Sequence, residues 1–428
     1  MNRSLRFAGW ILAATVFSGD VLASDIPLNT MVVPINRWWL PNHGPEGDHI
    51  TIDEGSSENP GGTNEGLIWY LAAGDAADRA NLYRLYNPPS LDHMDSRTAG
   101  EGGYQTEGTL GFTWNDPRDG LAEVRRAHRP SDGDHMTTRQ GENPPGYDLE
   151  GPLGWAFPRY GEDLSYGTGH HTALRTISNG AITMHFDRVW GGVAYELWWG
   201  GRQFLNHWDS GRELQTALFK PGLSDVGFGP TEAGDMWGHG SPLIEEQQSA
   251  RSYYTRTLPL QWGPQSYGGG EHRPVVYGGE FQRRATLFNH PVYDVVRWEV
   301  GYRPAESDTY TREWVTAYVE PYVSERIFVY TQGVGFEEQA MPECTENQTV
   351  TVQRGAVVFA SADLRHAIAL YTPETLYASW WNFDCLGGQS ATRKINLWDA
   401  EQSMSAGAWY TKTLYVVLGD LSAMMGPR

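Results

Sequence analysis

Three landmarks recur in fixed order along the first third of the chain, and that repetition constrains the fold more than any other feature. Arg37, Arg84 and Arg126 are each followed four residues later by a proline, at Pro41, Pro88 and Pro130. An Asp-His pair comes next in each copy, and its histidines, His49, His93 and His135, lie 44 and 42 residues apart. A Glu-Gly pair then opens an apolar aromatic run, with Glu65, Glu107 and Glu150 spaced by 42 and 43 residues. The intervening segments read as short strands broken by Gly, Pro, Asn and Asp, with no helical period. A unit of this size cannot bury its own apolar face, so the three must share one core. Three units of roughly forty residues fit a β-trefoil, whereas a propeller needs at least about four blades. A β-trefoil is therefore expected over residues 30–160.

From residue 161 to 428 the repeat stops and longer alternating runs appear, rich in β-branched and aromatic residues: 182–188, 193–199, 213–219, 292–302, 314–323, 349–361, 366–371 and 408–419. Gly191-Gly192 and Gly200-Gly201 punctuate the first of them as tight hairpins. No long amphipathic pattern interrupts them. The chain is predicted to be all-β, an N-terminal β-trefoil followed by a large antiparallel β-sandwich.

The Arg-Leu-Tyr-Asn-Pro run at 84–88, Asp92-His93-Met94 and the Glu107-Gly108 run resemble a short tandem repeat family of unknown function that is appended to secreted bacterial hydrolases. The resemblance spans about 130 residues and is weakest in copy one, where Trp38-Trp39 replaces the Leu-Tyr pair. It implies an accessory module directed at glycan or cell wall. The stretch 182–219, with Tyr195-Glu196-Leu197-Trp198-Trp199 and Asn206 to Arg212, resembles the strands of a galactose-mutarotase-like supersandwich. That fold serves sugar epimerases, polysaccharide lyases and glycoside hydrolases, so it implies a carbohydrate substrate without choosing a reaction.

Residues 1–23 have the layout of a secretory signal peptide: a basic start, an apolar run from Phe7 to Phe17, and small residues ahead of a cut after Ala23. A secreted or periplasmic location follows, and Cys344 and Cys385, the chain's two cysteines, are expected to form one disulfide there. The net charge of −20, with Lys220, Lys394 and Lys412 as the only lysines, argues against nucleic acid and anionic membranes as partners. It favours a neutral polysaccharide or cell-wall glycan bound by stacking, for which Trp38, Trp39, Tyr83 and Tyr86 are candidates in the repeats.

The repeat histidines admit two readings: a ligand set gathered about a threefold axis, or one imidazole per unit held by its neighbouring Asp in a buried turn. The second is expected, because an element repeated with the fold builds the fold. Polar residues that break the strand pattern of the second region fall in three places. His207, Asp209 and Arg212 lie in a turn and are candidates for substrate binding, or for a turn closed by an ion pair. The Gly/Pro-rich stretch 225–242 carries Glu232, Asp235, Trp237 and His239, and Glu271, His272 and Arg273 follow three glycines. His170-His171 is a further candidate. A glycosidase needs two carboxyl groups, for which Glu232, Asp235 and Glu271 are candidates. An epimerase would pair His239 or His272 with Glu271, and a lyase would set a base beside Arg212 or Arg273. Trp237 supplies a stacking surface.

The expectation is a secreted carbohydrate-active enzyme, glycoside hydrolysis standing ahead of lyase or epimerase chemistry. A non-catalytic glycan-binding protein is the rival. No cofactor is expected; Glu232, Asp235 and His239 form a candidate set for a divalent cation.

Overall fold

The structure is a computed structural model that describes residues 29–118, 120–158, 174–206, 213–220, 229–263, 265–267, 271–387 and 391–425, with the backbone alone for 265–267 and 271–272. The leader 1–23, His170-His171, His207, Asp209, Arg212 and the boundary at residue 161 lie outside them.

The described chain is all-β, with a single short α-helix at Leu421–Met425. No helix among the described residues is long and apolar enough to cross a membrane.

The first region contains nine strands: β1 Thr30–Leu40, β2 Asp48–Asp53, β3 Thr63–Ala72, β4 Arg79–Asn87, β5 Asp92–Ser96, β6 Gln105–Trp114, β7 Ala122–His128, β8 His135–Thr137 and β9 Asp148–Pro158. One pairing scheme is used three times. The long opening strand of each unit pairs with both strands that follow it: β1 with β2 and β3, β4 with β5 and β6, β7 with β8 and β9. The closing strands then pair with each other, at Ala72–Phe112, Trp114–Trp155 and Trp69–Pro158. Those strands carry the Glu-Gly aromatic runs, so these runs meet at the centre. Ile68, Trp69, Leu71, Leu82, Val124 and Ala156 form a buried cluster there.

Polar side chains link the units in a ring. His49 donates its backbone N–H to Asp134 at 2.9 Å and places Nδ1 2.8 Å from the same carboxylate. His93 makes the same pair of contacts with Asp48, at 3.1 and 2.5 Å, and His135 with Asp92, at 3.0 and 2.7 Å. Each histidine is therefore held by the aspartate of another unit, not by its neighbour in sequence as expected. The reason is strand alternation, which sends adjacent side chains to opposite faces. The carboxylates of Asp48, Asp92 and Asp134, rather than the imidazoles, come together, within 4.8 Å of one another.

The arginines form a second ring. Arg84 Nε donates to Glu107 of its own unit at 2.8 Å, while Nη1 reaches the Thr51 carbonyl and Glu58 of the unit before, at 3.2 and 2.9 Å. Arg126 repeats this with Glu150, the Asp95 carbonyl and Glu101, and Arg37 with Glu65, the Thr137 carbonyl and Glu142. The Arg, Asp-His and Glu landmarks read from the repeat are thus contacts within or between units.

The second region is a pair of antiparallel sheets. One runs in the order 174–178, 182–187, 193–199, 214–219, 308–319, 393–404 and the second half of 367–382. The other runs 243–248, 252–257, 280–289, 293–303, 410–419 and the first half of 367–382. The long strand Ala367–Asn382 belongs to both, and Asn347–Ala360 pairs along its length. Between the sheets lies one apolar cluster that includes Phe186, Leu218, Trp298, Trp314, Leu370 and Trp380. Gly200 and Gly201 have φ of 58° and 75°, the left-handed pair that a two-residue hairpin between Trp199 and Arg202 requires. Cys344 and Cys385 are joined, with Cα atoms 5.8 Å apart.

The two regions are stitched along β1. Thr30 and Met31 pair with Val276 and Val275, and Val32, Tyr70, Trp114 and Phe157 pack on Leu258, Leu260 and Val276.

Candidate functional site

The acidic and basic residues singled out in 225–242 and 271–273 divide between interior and seam. Glu232 is 1% exposed and lies 2.8 Å from Arg283, itself fully buried against Trp298, with Thr216 donating to the second carboxylate oxygen at 3.1 Å. Burial pushes its carboxyl up, against the pull of Arg283. The backbone packs as tightly: a Cβ on Gly191 would stand 2.2 Å from the Glu232 carbonyl. Asp235 is buried and accepts the backbone N–H groups of Trp237 and His239 at 2.9 and 3.0 Å and faces His239 Nδ1 at 2.7 Å. His239 Nε2 is 3.0 Å from Glu54, at the end of β2. Burial alone would lower the imidazole, but Asp235, with Glu54 behind it, holds it at about 10. Arg273 grips Asp53 with two bonds of 2.6 Å. Asp235, His239 and Arg273 therefore stand at the seam with the repeat region. Trp237 is 56% exposed beside it. Glu271 and His272 lie in a short strand, Glu271–Arg273, paired with Gln265–Tyr267.

A different constellation occupies the face of the first sheet opposite the core. Strand alternation sends Leu214, Leu218, Val315, Ala317, Ile395, Leu397, Ala378 and Trp380 inward. It leaves Gln215, Ala217 and Phe219, then Glu313, Thr316 and Tyr318, then Lys394, Asn396 and Trp398, then Tyr377, Ser379 and Trp381 on the other face. The registers align them in rows: Gln215–Thr316–Asn396–Ser379 and Ala217–Glu313–Trp398–Tyr377, with Tyr318–Lys394–Trp381 alongside. A bulge between Glu313 and Val315 keeps Glu313 and Thr316 on one face although they are three residues apart.

Glu313 is the centre of this face. Its carboxylate accepts from Thr316 Oγ1 at 2.8 Å and Asn396 Nδ2 at 2.5 Å, with Lys394 Nζ at 3.3 Å. Lys394 sits over the Trp381 ring, 4.5 Å from its centroid. Trp398 and Tyr377 stack at 4.7 Å with an interplanar angle of 27°, and Trp398 Nε1 is anchored to Ser379 at 2.8 Å. Tyr377 is 37% exposed, whereas Glu313 itself is 6% exposed. A cleft lined by Gln215, Phe219, Trp262, Glu313, Tyr318 and Lys394 opens on these rows. Gln215 is 4% exposed, and its side-chain oxygen has no hydrogen-bond partner among the described residues. A carboxylate fixed by three donors beside stacked aromatic rings is equipped to orient a hydroxylated ring and to move a proton.

The reading from sequence missed Glu313, Lys394 and Asn396 because each sits inside a strand, where polar residues pass for solvent-facing positions of the alternation. One signal was present: Lys394 is one of only three lysines in the chain.

No family model matches this chain, and no curated protein does. Among solved structures it is similar to a galactose mutarotase-like protein from Lactobacillus casei ATCC 334, at 12% identity over 57% of this chain and 99% of that one, with a TM-score of 0.37. A putative aldose 1-epimerase from Escherichia coli K12 matches at 14% identity over 57% of this chain and 98% of its own, with a TM-score of 0.35. A heparan sulfate lyase from Pedobacter heparinus matches at 11% over 62% of this chain and 38% of that one, with a TM-score of 0.31. At these scores the likeness carries no argument about activity, which has to be read from the residues of the sheet face.

Proposed function

We propose that this protein is a carbohydrate-active enzyme that binds a saccharide on the face of the first sheet opposite the core, with Glu313 as its proton-handling group and the repeat region as an exported, trefoil-type glycan-targeting module. The observation that carries the reading is the Glu313 carboxylate, held by Thr316, Asn396 and Lys394 next to the stacked Trp398–Tyr377 pair. Aromatic faces bind the C–H surface of a sugar ring, and the fixed carboxylate accepts from a hydroxyl or takes a ring proton. Proton abstraction, the chemistry of epimerases and lyases, needs one such carboxylate. Two-carboxylate hydrolysis would need a second on the same face, and Glu232 and Asp235 are occupied in the interior and at the seam.

The test is incubation of the purified protein and its Glu313→Gln and Trp398→Ala variants with a panel of glycans and free sugars. Binding, anomer ratio, reducing ends and the absorbance of unsaturated uronates are followed together. The expected outcome is turnover by the wild type without hydrolysis, a loss of about a hundredfold or more in Glu313→Gln with binding retained, and weakened binding in Trp398→Ala. Reducing ends without uronate absorbance would show a hydrolase. Binding unchanged in Trp398→Ala, or turnover unchanged in Glu313→Gln, would remove the site from this face.

A further inference from the structure

The third unit departs from the repeat at one position. Counting from the landmark arginines, Trp39, Tyr86 and His128 are equivalent, and each packs its ring against the histidine of its own unit, with centroids 4.7, 4.5 and 4.5 Å apart. Only the third unit puts a second imidazole there. β7 and β8 set His128 directly opposite His135, and the rings are inclined at 25°.

His135 is prepared as a ligand. Its Nδ1 lies 2.7 Å from Asp92, which as a carboxylate accepts the proton on that nitrogen and leaves the Nε2 lone pair free. An Asp behind an imidazole in this way fixes tautomer and orientation and raises the basicity of the coordinating nitrogen. Nε2 faces Glu150 Oε2 at 3.7 Å. One donor atom from each of His128, His135 and Glu150 lies within 4.8 Å of the others. Zinc bonds of about 2.0 to 2.2 Å place neighbouring ligands a little over 3 Å apart, so modest side-chain rotation closes the set. Glu150 also accepts Arg126 Nε at 2.5 Å, which leaves its remaining lone pairs for coordination. The side chains of His135 and Glu150 are 12% and 31% exposed, within reach of an ion from solvent.

We propose that His128, His135 and Glu150 form a site for a divalent transition-metal ion of the zinc or copper class, with a coordination position left open to water or an external donor. Two imidazoles and one carboxylate are the donor set such ions prefer over calcium or magnesium. A second cluster, His43, Asp48 and His93, spans the first and second units and is a poorer host, because two of its three ligand groups, Asp48 and His93, already share a 2.5 Å hydrogen bond with each other.

Calorimetric titration of the chelator-treated full-length protein with Zn(II) and with Cu(II), beside His128→Tyr and His43→Gln, tests the proposal. His128→Tyr installs the residue found at the equivalent place in the second unit, and far-UV circular dichroism with thermal unfolding in chelator confirms its fold. One equivalent is expected to bind wild type and His43→Gln alike, with affinity at least tenfold lower in His128→Tyr. Metal should raise the melting temperature of wild type but not of His128→Tyr. Absence of binding by the wild type, undiminished binding by His128→Tyr, or loss in His43→Gln would overturn it.

Discussion

The repeat region and the sandwich are both all-β, yet they are held together by opposite means. In the sandwich one apolar cluster fills the space between two sheets, and buried ion pairs such as Glu232–Arg283 and Glu280–Arg303 are local insertions rather than a repeated ring. In the repeat region the units are joined by two rings of charged contacts, Asp to His and Arg to a Glu of the neighbouring unit, each used three times. Units of about forty residues have little apolar surface to share, so directional contacts that can be met only by the adjacent unit supply the specificity that a larger core supplies by volume. The charges singled out in 232–273 follow the same division: Glu232 sits in the core, while Asp235, His239 and Arg273 lie at the seam.

This contrast breaks first at Glu232. Its replacement by Ala leaves the Arg283 guanidinium buried beside Trp298 without its partner, and a loss of about 3 to 5 kcal/mol is expected by urea denaturation. Replacing both residues by apolar ones of similar volume should recover most of it, which would mark the pair as replaceable in a core of this kind. Next comes the disulfide: its sequence separation of 41 positions makes Cys385→Ser cost about 3 to 4 kcal/mol on the loop-entropy model, read from the same denaturation. In the repeat region Asp92→Ala removes the acceptor of the His135 N–H, its imidazole and the Tyr104 hydroxyl. A cost of about 2 to 3 kcal/mol is expected. Asp48→Ala and Asp134→Ala should match it to within about 1 kcal/mol, because each opens the same ring once. A wide spread among the three would mean that the ring is not the common joint.

Much of this contrast was legible in the chain before its folding was known. Arg, Asp-His and Glu-Gly recur because the contacts they make recur, so spacing alone located the arginines, the Asp-His pairs and Glu65, Glu107 and Glu150, but not Glu58, Glu101 and Glu142, which receive each arginine across the unit boundary. It did not reveal which Asp serves which His, since that depends on which face of a strand each side chain takes and on how units close upon one another. In the sandwich, alternation located strands such as Val193–Trp199 and Asn347–Ala360. The strand Glu280–Asn289 was passed over because Arg283 and Arg284 interrupt its apolar residues; Glu232, the buried partner that neutralises Arg283, lies 51 residues away in sequence, beyond any local pattern. The run expected over 314–323 begins earlier and ends at Val319, where Pro321 opens a tight turn. Glu313 was hidden for a related reason. Its neighbours on the face, Thr316, Lys394 and Asn396, are assembled by strand register and by a bulge that no sequence period encodes.

The smallest expected effect concerns the seam where the two kinds of construction meet. His239, between Asp235 and Glu54, has its folded-state pKa raised to about 10, against about 6.5 for a free imidazole. The native state keeps a proton that the unfolded chain gives up, so this contribution is complete below about pH 6.5 and declines as pH climbs through the folded value. Stability of the wild type measured at pH 7, 8 and 9 should therefore fall by about 1 kcal/mol per pH unit from this group. His239→Gln, which retains a donor toward Asp235 but cannot be protonated, should flatten that segment of the profile while starting from a lower value at pH 6. An unchanged slope in the variant would place the seam's pH response elsewhere. A flattened one would establish that the repeat region and the sandwich are joined by a charge held in place by both, Asp235 from one side and Glu54 from the other.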